Sequence, residues 1–176
     1  MKFYDRTQEL ELLWDINKQS RNTACFTVMV GRRRIGKTSL LLESMKGEKF
    51  LYLFVSRKSE VLLCEQFQQE IKDSLELEIF GNVTEFRILF EQLMIYATQT
   101  HFTLIIDEFQ EFDNINSSIF SDIQNIWDRY QEQAKINFIA CGSIYSMMKK
   151  IFENNKEPLF GRLTSKIILK PFSVST

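Results

Sequence analysis

Apolar residues in this chain follow two rhythms, and the rhythms alternate. The segment YDRTQELELLWDIN sets Leu10, Leu13, Trp14 and Ile16 at helical spacing, with Asp5 or Thr7 placed to cap its start. ACFTVMV is short, apolar and β-branched, which predicts a buried strand. A helix is expected from Lys37 to about Met45, with Leu40, Leu41 and Leu42 on its apolar side. KFLYLFVS predicts the second strand. A helix from Ser59 to about Leu77 follows, with Val61, Leu62, Phe67 and Ile71 as core candidates. TEFRILFEQLMIYAT predicts another helix, capped by Thr84, with Arg87 and Glu91 facing solvent. FTLIID is the third strand, SIFSDIQNIWDRYQEQ a helix, INFIACG the fourth strand and SIYSMMKKIF a short helix. SKIILKPF is the last strand, stopped by Pro171. Apolar strands without polar alternation, interleaved with helices, predict a parallel sheet covered on both faces. Ligands of such sheets sit at the carboxyl ends of the strands.

Composition adds limits. The chain has 176 residues, enough for one α/β domain, and a domain of about 150 residues buries roughly 70% of its unfolded surface. A net charge of -1 gives no global electrostatic drive toward nucleic acid or an anionic membrane. No apolar run approaches the roughly 18 residues of a membrane span, and the charged N-terminus has no signal-peptide core. Cys25, Cys64 and Cys141 are scattered, and His101 is the single histidine, so a zinc site is not expected. Reduced, mostly buried thiols in a cytoplasmic protein are the simplest expectation.

Two motifs lie at predicted strand tips. Gly31-Arg32-Arg33-Arg34-Ile35-Gly36-Lys37-Thr38 has the spacing G-x-x-x-x-G-K-[ST], between a strand and a helix, as a phosphate-cradling loop requires. Its glycines permit close backbone approach, and successive amides at a helix N-terminus face an anion. Lys37 would reach the β/γ-phosphates and Thr38 would offer its hydroxyl to Mg²⁺; Ser39 completes the cofactor-binding turn. In TLIIDEFQ an apolar strand ends in Asp107-Glu108. Asp107 suits the Mg²⁺ shell, and Glu108 suits a general base that takes a proton from attacking water. Gln110 in the same motif could orient water or simply pack.

Other residues carry two readings each. If FIACGS lies between the two motif strands, Ser143 falls beside the γ-phosphate, and it also suits a helix N-cap. Arg162, in EPLFGRLTSK, is a solvated loop arginine or one that reaches a γ-phosphate, in cis or from a neighbouring subunit. Arg32, Arg33 and Arg34 cannot all be phosphate ligands, since only some loop side chains point inward. One of them meets a neighbouring subunit's nucleotide or an acidic strand tip such as Glu108 or Glu111, or all three are solvated.

Taken in order, FYDRTQELELL, GRRRIGKTSLL, LIIDEFQ, ACGS, PLFGRLTSKI and LKPFS resemble the archaeal-type ATPase family of the AAA+/STAND P-loop NTPases. The resemblance spans nearly the whole chain. It implies a P-loop NTPase three-layer sandwich with a five-stranded, mostly parallel sheet in the order 5-1-4-3-2, which would put Cys25 and Cys141 on neighbouring strands. It implies ATP and Mg²⁺ as ligands, with Arg6 and Glu9 near the adenine and Lys37 and Thr38 as the P-loop pair. Asp107 and Glu108 become the Walker B acids, Ser143 a sensor-like polar residue, and Arg162 a candidate arginine finger. A homo-oligomer with a shared nucleotide site fits this picture. Members usually continue into a helical lid, often with a winged-helix segment. This chain stops at KPFSVST, so residues 1–176 are expected to be one ATPase core domain, with any DNA or protein partner met through a missing C-terminal region.

The leading expectation is thus an ATP-binding, ATP-hydrolysing regulatory core. The alternative is a nucleotide-gated interaction module that binds ATP with little or no turnover. A small-molecule kinase would need a second substrate pocket and an arginine-rich lid. A GTPase is disfavoured because no N-K-x-D signature is present; NKEP at Asn155 lacks the aspartate.

Overall fold

The computed structural model describes residues 6–171; Asp5, one of the two expected caps of the first helix, lies outside them. Five strands form one sheet: β1 (Cys25–Val30), β2 (Phe50–Phe54), β3 (Phe102–Asp107), β4 (Ile136–Gly142) and β5 (Ser165–Ile168). Their order is β2-β3-β4-β1-β5, the expected order read from the other edge, and every neighbouring pair is parallel. Every position of β1, β3 and β4 is buried. That is why these strands read as unbroken apolar runs: each needs apolar side chains on both faces.

Helices cover both faces. On one lie α1 (Thr7–Gln19) and α2 (Lys37–Ser44), packed on Cys25, Met29, Ile105, Ile139 and Cys141. On the other lie α3 (Glu60–Leu75), α4 (Phe86–Ala97), α5 (Phe112–Ile115), α6 (Ile119–Tyr130) and α7 (Tyr145–Glu153). This second face is aromatic. Phe26 stacks on Phe138 at 4.3 Å between ring centroids and lies 5.2 Å from Trp127. Phe109 stacks on Phe152 at 5.6 Å.

The helices are where the sequence expected, but several faces differ. Trp14, Leu42, Val61 and Leu62 are exposed rather than core. In α3 the buried stripe runs Leu63, Cys64, Phe67, Ile71 and Leu75, a four-residue rhythm that leaves Val61 and Leu62 on the solvent side. In α1 the stripe includes Asn17, buried because its Oδ1 accepts from Thr103 Oγ1 at 3.1 Å. Thr84 does not cap α4. Glu85 takes the cap position without a side-chain bond, and the Phe86 N–H donates instead to Glu60 Oε2 at 2.9 Å. Ser143 does not cap α7 either, since Ile144 stands there. A short 3-10 turn, Phe109–Glu111, and α5 follow β3 directly, where the sequence pattern predicted no element.

The three cysteines are buried and unpaired. Cys25 and Cys141 do lie on adjacent strands, but Cys25 is opposite Asn137 and Cys141 opposite Met29, four residues apart in register. Among the described residues, no helix is long and apolar enough to cross a membrane.

Candidate functional site

The carboxyl edge of β1 opens into the glycine-bounded loop. Gly31 leaves little room for a side chain. A Cβ there would stand 3.1 Å from both Ile35 Cγ2 and Leu169 Cβ, tighter than ordinary van der Waals contact. Gly36 (φ 98°) holds the left-handed turn that starts α2. Arg34 adopts the left-handed region as well, at φ 64°. For a residue with a Cβ that costs about 1–2 kcal/mol, so the loop holds its shape against a local penalty.

Lys37 is buried and folds back over the loop, donating from Nζ to the carbonyl oxygens of Gly31 (2.6 Å) and Arg32 (3.2 Å). Thr38 and Ser39, on the first turn of α2, are exposed. Arg32, Arg33 and Arg34 are exposed too, and none of their guanidinium groups makes a hydrogen bond or ion pair with another described residue. They reach neither Glu108 nor Glu111. Glu111 faces Arg57 at 3.6 Å and accepts from Asn114 Nδ2 at 2.9 Å.

β3 ends two strands away and brings its acids to the same edge. Asp107 shares its face with α2, and Thr38 Oγ1 donates to its Oδ2 at 3.4 Å. Tyr52, from β2, donates to the same oxygen at 2.5 Å. Burial, then the hydrogen bond and charge of Asp107, push the Tyr52 phenol well above its ordinary range, so it remains a donor. Asp107 Oδ1 accepts the Glu108 N–H at 2.9 Å. These are hard oxygen donors of the kind Mg²⁺ prefers, and no group of three or more His, Cys, Asp or Glu ligands exists among the described residues. An ion held by Thr38 and Asp107 would complete its shell with phosphate and water oxygens.

Glu108 stands in the left-handed region (φ 54°, ψ 43°), and its carboxylate meets different partners from that of Asp107. Ser143, at the tip of β4 between the two motif strands, donates to Glu108 Oε2 at 2.9 Å. Gln110 Nε2 donates to that same oxygen and approaches Ser143 Oγ at 3.4 Å. Arg6 is buried at this edge as well, donating to the Lys170 carbonyl at 2.7 Å, just past the Leu169 that flanks Gly31.

Arg162 is elsewhere. The neighbouring Thr164 pairs with Phe26 at the amino end of β1. Phe26 and Gly31 are five residue steps apart along the strand, about 16 Å, so Arg162 stands far from this chain's own glycine-bounded loop. It makes a bidentate pair with Asp128 of α6, at 3.0 and 2.7 Å. The structure thus gathers Arg6, the loop, Thr38, Asp107, Glu108 and Ser143, and leaves Arg162 out. Sequence reasoning missed Tyr52; the available signal was a hydroxyl in the otherwise apolar alternation Phe50, Tyr52, Phe54.

Residues 3–176 match the sequence model of a family described as an ATPase domain predominantly from Archaea. An uncharacterized protein of Methanocaldococcus jannaschii, MJECL04, is 30% identical over 169 residues, covering 96% of this chain and 36% of that protein. The Walker-type ATPase PABY2304 of Pyrococcus abyssi superposes with a TM-score of 0.69 at 17% identity, over 92% of this chain and 53% of that one. Cdc6p from Pyrobaculum aerophilum gives 0.64 at 16%, over 97% and 46%. Drosophila ORC, in a structure bound to DNA, gives 0.60 at 16%, over 95% and 42%. The chain spans little more than a third of its curated relative and about half of these structures.

Proposed function

We propose that the chain, which belongs to the family of ATPase domains predominantly from Archaea, binds ATP with Mg²⁺ and hydrolyses it at the carboxyl edge of β1, β3 and β4. The observation that carries the reading is the meeting of three separately coded groups at one edge: Lys37 over its loop, Asp107 against Thr38, and Glu108 against Ser143.

Each residue has a task in this reading. Lys37 exchanges its two carbonyl partners for phosphate oxygens, a gain because hydrogen bonds between charged partners are the stronger kind. Thr38 and Asp107 hold Mg²⁺, which supplies charge neutralisation on the phosphates when bound. Glu108 takes a proton from water as the water oxygen bonds to the γ-phosphorus. The bond from that phosphorus to the β–γ bridging oxygen breaks, its electron pair leaves with ADP, and inorganic phosphate is the second product. Ser143 orients the carboxylate or the water. Arg6 lines the adenine side. Arg162 acts only across a subunit boundary, in a homo-oligomer, and a DNA or protein partner is engaged outside this sheet core.

A titration with Mg-ATP, in competition with GTP, tests the binding half. ATP should bind, GTP should fail to displace it, and Lys37→Ala should lose it. Absence of nucleotide binding at millimolar concentration would overturn the reading.

A further inference from the structure

Gln110 neighbours the acids in unusual surroundings. The side chain is fully buried in the 3-10 turn that begins at the left-handed Glu108. Its Nε2 donates to Glu108 Oε2, and the same nitrogen lies 3.4 Å from Ser143 Oγ. Its other amide atom, Oε1, is buried without a hydrogen-bond partner among the described residues. Rotating the amide by half a turn would set Oε1 against the carboxylate oxygen and remove the donor to Glu108.

A buried acceptor without a partner is costly, and an apolar side chain of similar shape would avoid that cost. The fold also clears space for the amide. A Cβ on Gly142 would stand 2.7 Å from Gln110 Oε1 and would collide with Met148. Gly142 is the last residue of β4, immediately before Ser143. One strand tip therefore supplies both the second donor to Glu108 and the gap that admits the first.

We infer that Gln110 is a positioning residue for hydrolysis: its buried amide and the Ser143 hydroxyl together fix the Glu108 carboxylate that receives the proton from water. The inference rests on the base role proposed for Glu108. Gln110 acts in this inference through the carboxylate, which its amide nitrogen meets beside Ser143. Misplacement of a catalytic group by about 1 Å can cost on the order of a hundredfold in rate, so the expected loss is kinetic rather than structural.

The test is Gln110→Met in the full chain, read by kcat, KM, equilibrium Mg-ATP affinity and Tm. Methionine keeps the length and removes both the donor and the orphan acceptor. The expected result is a fall in kcat of about tenfold to a hundredfold, with ATP affinity unchanged and Tm unchanged or raised. Gly142→Ala approaches the same amide from the opposite side and should lower kcat in the same way, with a lower Tm. Wild-type kcat in Gln110→Met would overturn the inference, as would a matched loss of kcat and ATP affinity. Glu108→Gln separates the two proposals. If it abolishes turnover while Gln110→Met does not, only the role of Gln110 fails. If Glu108→Gln retains turnover, or the wild type has none, the base reading fails and the inference falls with it.

Discussion

The two faces of the sheet are built for different purposes. The face under α3 to α7 is a continuous aromatic and aliphatic core, where Phe26, Phe90, Phe109, Trp127, Phe138 and Phe152 pack ring against ring. The face under α1 and α2 is smaller and carries polar groups inside it. Asn137 Nδ2 donates to Thr103 Oγ1 at 3.3 Å, and Thr103 in turn donates to Asn17. Thr27 Oγ1 and Asn137 Oδ1 are buried there without partners among the described residues. Asp107, Tyr52 and Thr38 lie at the far end of this same face. One face thus supplies most of the apolar burial, and the other tolerates buried polar groups that run toward the Asp107 strand tip.

The comparison breaks if stability and nucleotide binding respond to the same substitutions. The largest effect expected is on the aromatic face. Phe138→Ala removes a fully buried ring at the centre of the cluster and should cost about 3–5 kcal/mol, with ATP affinity preserved in whatever fraction remains folded. Thermal unfolding should show a fall of roughly 10 °C or more. On the other face Lys37→Ala should do the reverse. Losing charge-assisted bonds worth about 1.5–3 kcal/mol each should weaken Mg-ATP binding by at least roughly tenfold, while Tm stays close to wild type.

A smaller effect sharpens the picture at the amino edge of the polar face. Ser20 Oγ donates to the Asn17 carbonyl at 2.6 Å, so its only hydrogen is used. It must then accept from His101 Nε2–H at 2.8 Å, which fixes the tautomer. Burial, then the Arg21 charge, lower the His101 pKa below its ordinary value of 6.5, and Glu48 opposes the shift weakly. The fold therefore favours the neutral ring. That stability is fully present above pH 6.5 and is lost as pH falls through the lowered value. His101→Gln should flatten this part of a Tm-against-pH curve; an unchanged acid slope would show that His101 does not contribute.

The smallest effect compares strain inside and outside the site. Glu76, ending α3, is left-handed like Arg34 and Glu108 but remote from the phosphate loop. Glu76→Gly should raise stability by up to about 1 kcal/mol and leave nucleotide binding untouched. A change in ATP affinity would mean that the backbone strain is not local.

Much of this was legible in the chain, for a physical reason. Strands buried on both faces must be apolar throughout, so β1, β3 and β4 stand out in the sequence, and the order β2-β3-β4-β1-β5 agrees with the resemblance. That the loop, Asp107, Glu108 and Ser143 would meet at one sheet edge was legible because each motif ends a strand of the parallel sheet. Helix faces were less so. Val61 and Leu62 are as apolar as Leu63, and only the packing of α3 on the sheet decides which is covered. The partners of the acids were hidden for another reason. Tyr52 and Gln110 reach them through strand register and a left-handed backbone residue, neither of which a motif records. Arg162 was placed by motif alone, and its pairing with Asp128 depends on where the chain returns to start β5.

The central claim is that Glu108 is the base. Its most direct test is single-turnover hydrolysis of Mg-ATP by the wild type and Glu108→Gln, both saturated with nucleotide. The account predicts that the variant binds ATP as tightly as the wild type and leaves it intact, a loss of about a hundredfold or more in rate. Equal rates of phosphate release from the two proteins would contradict it.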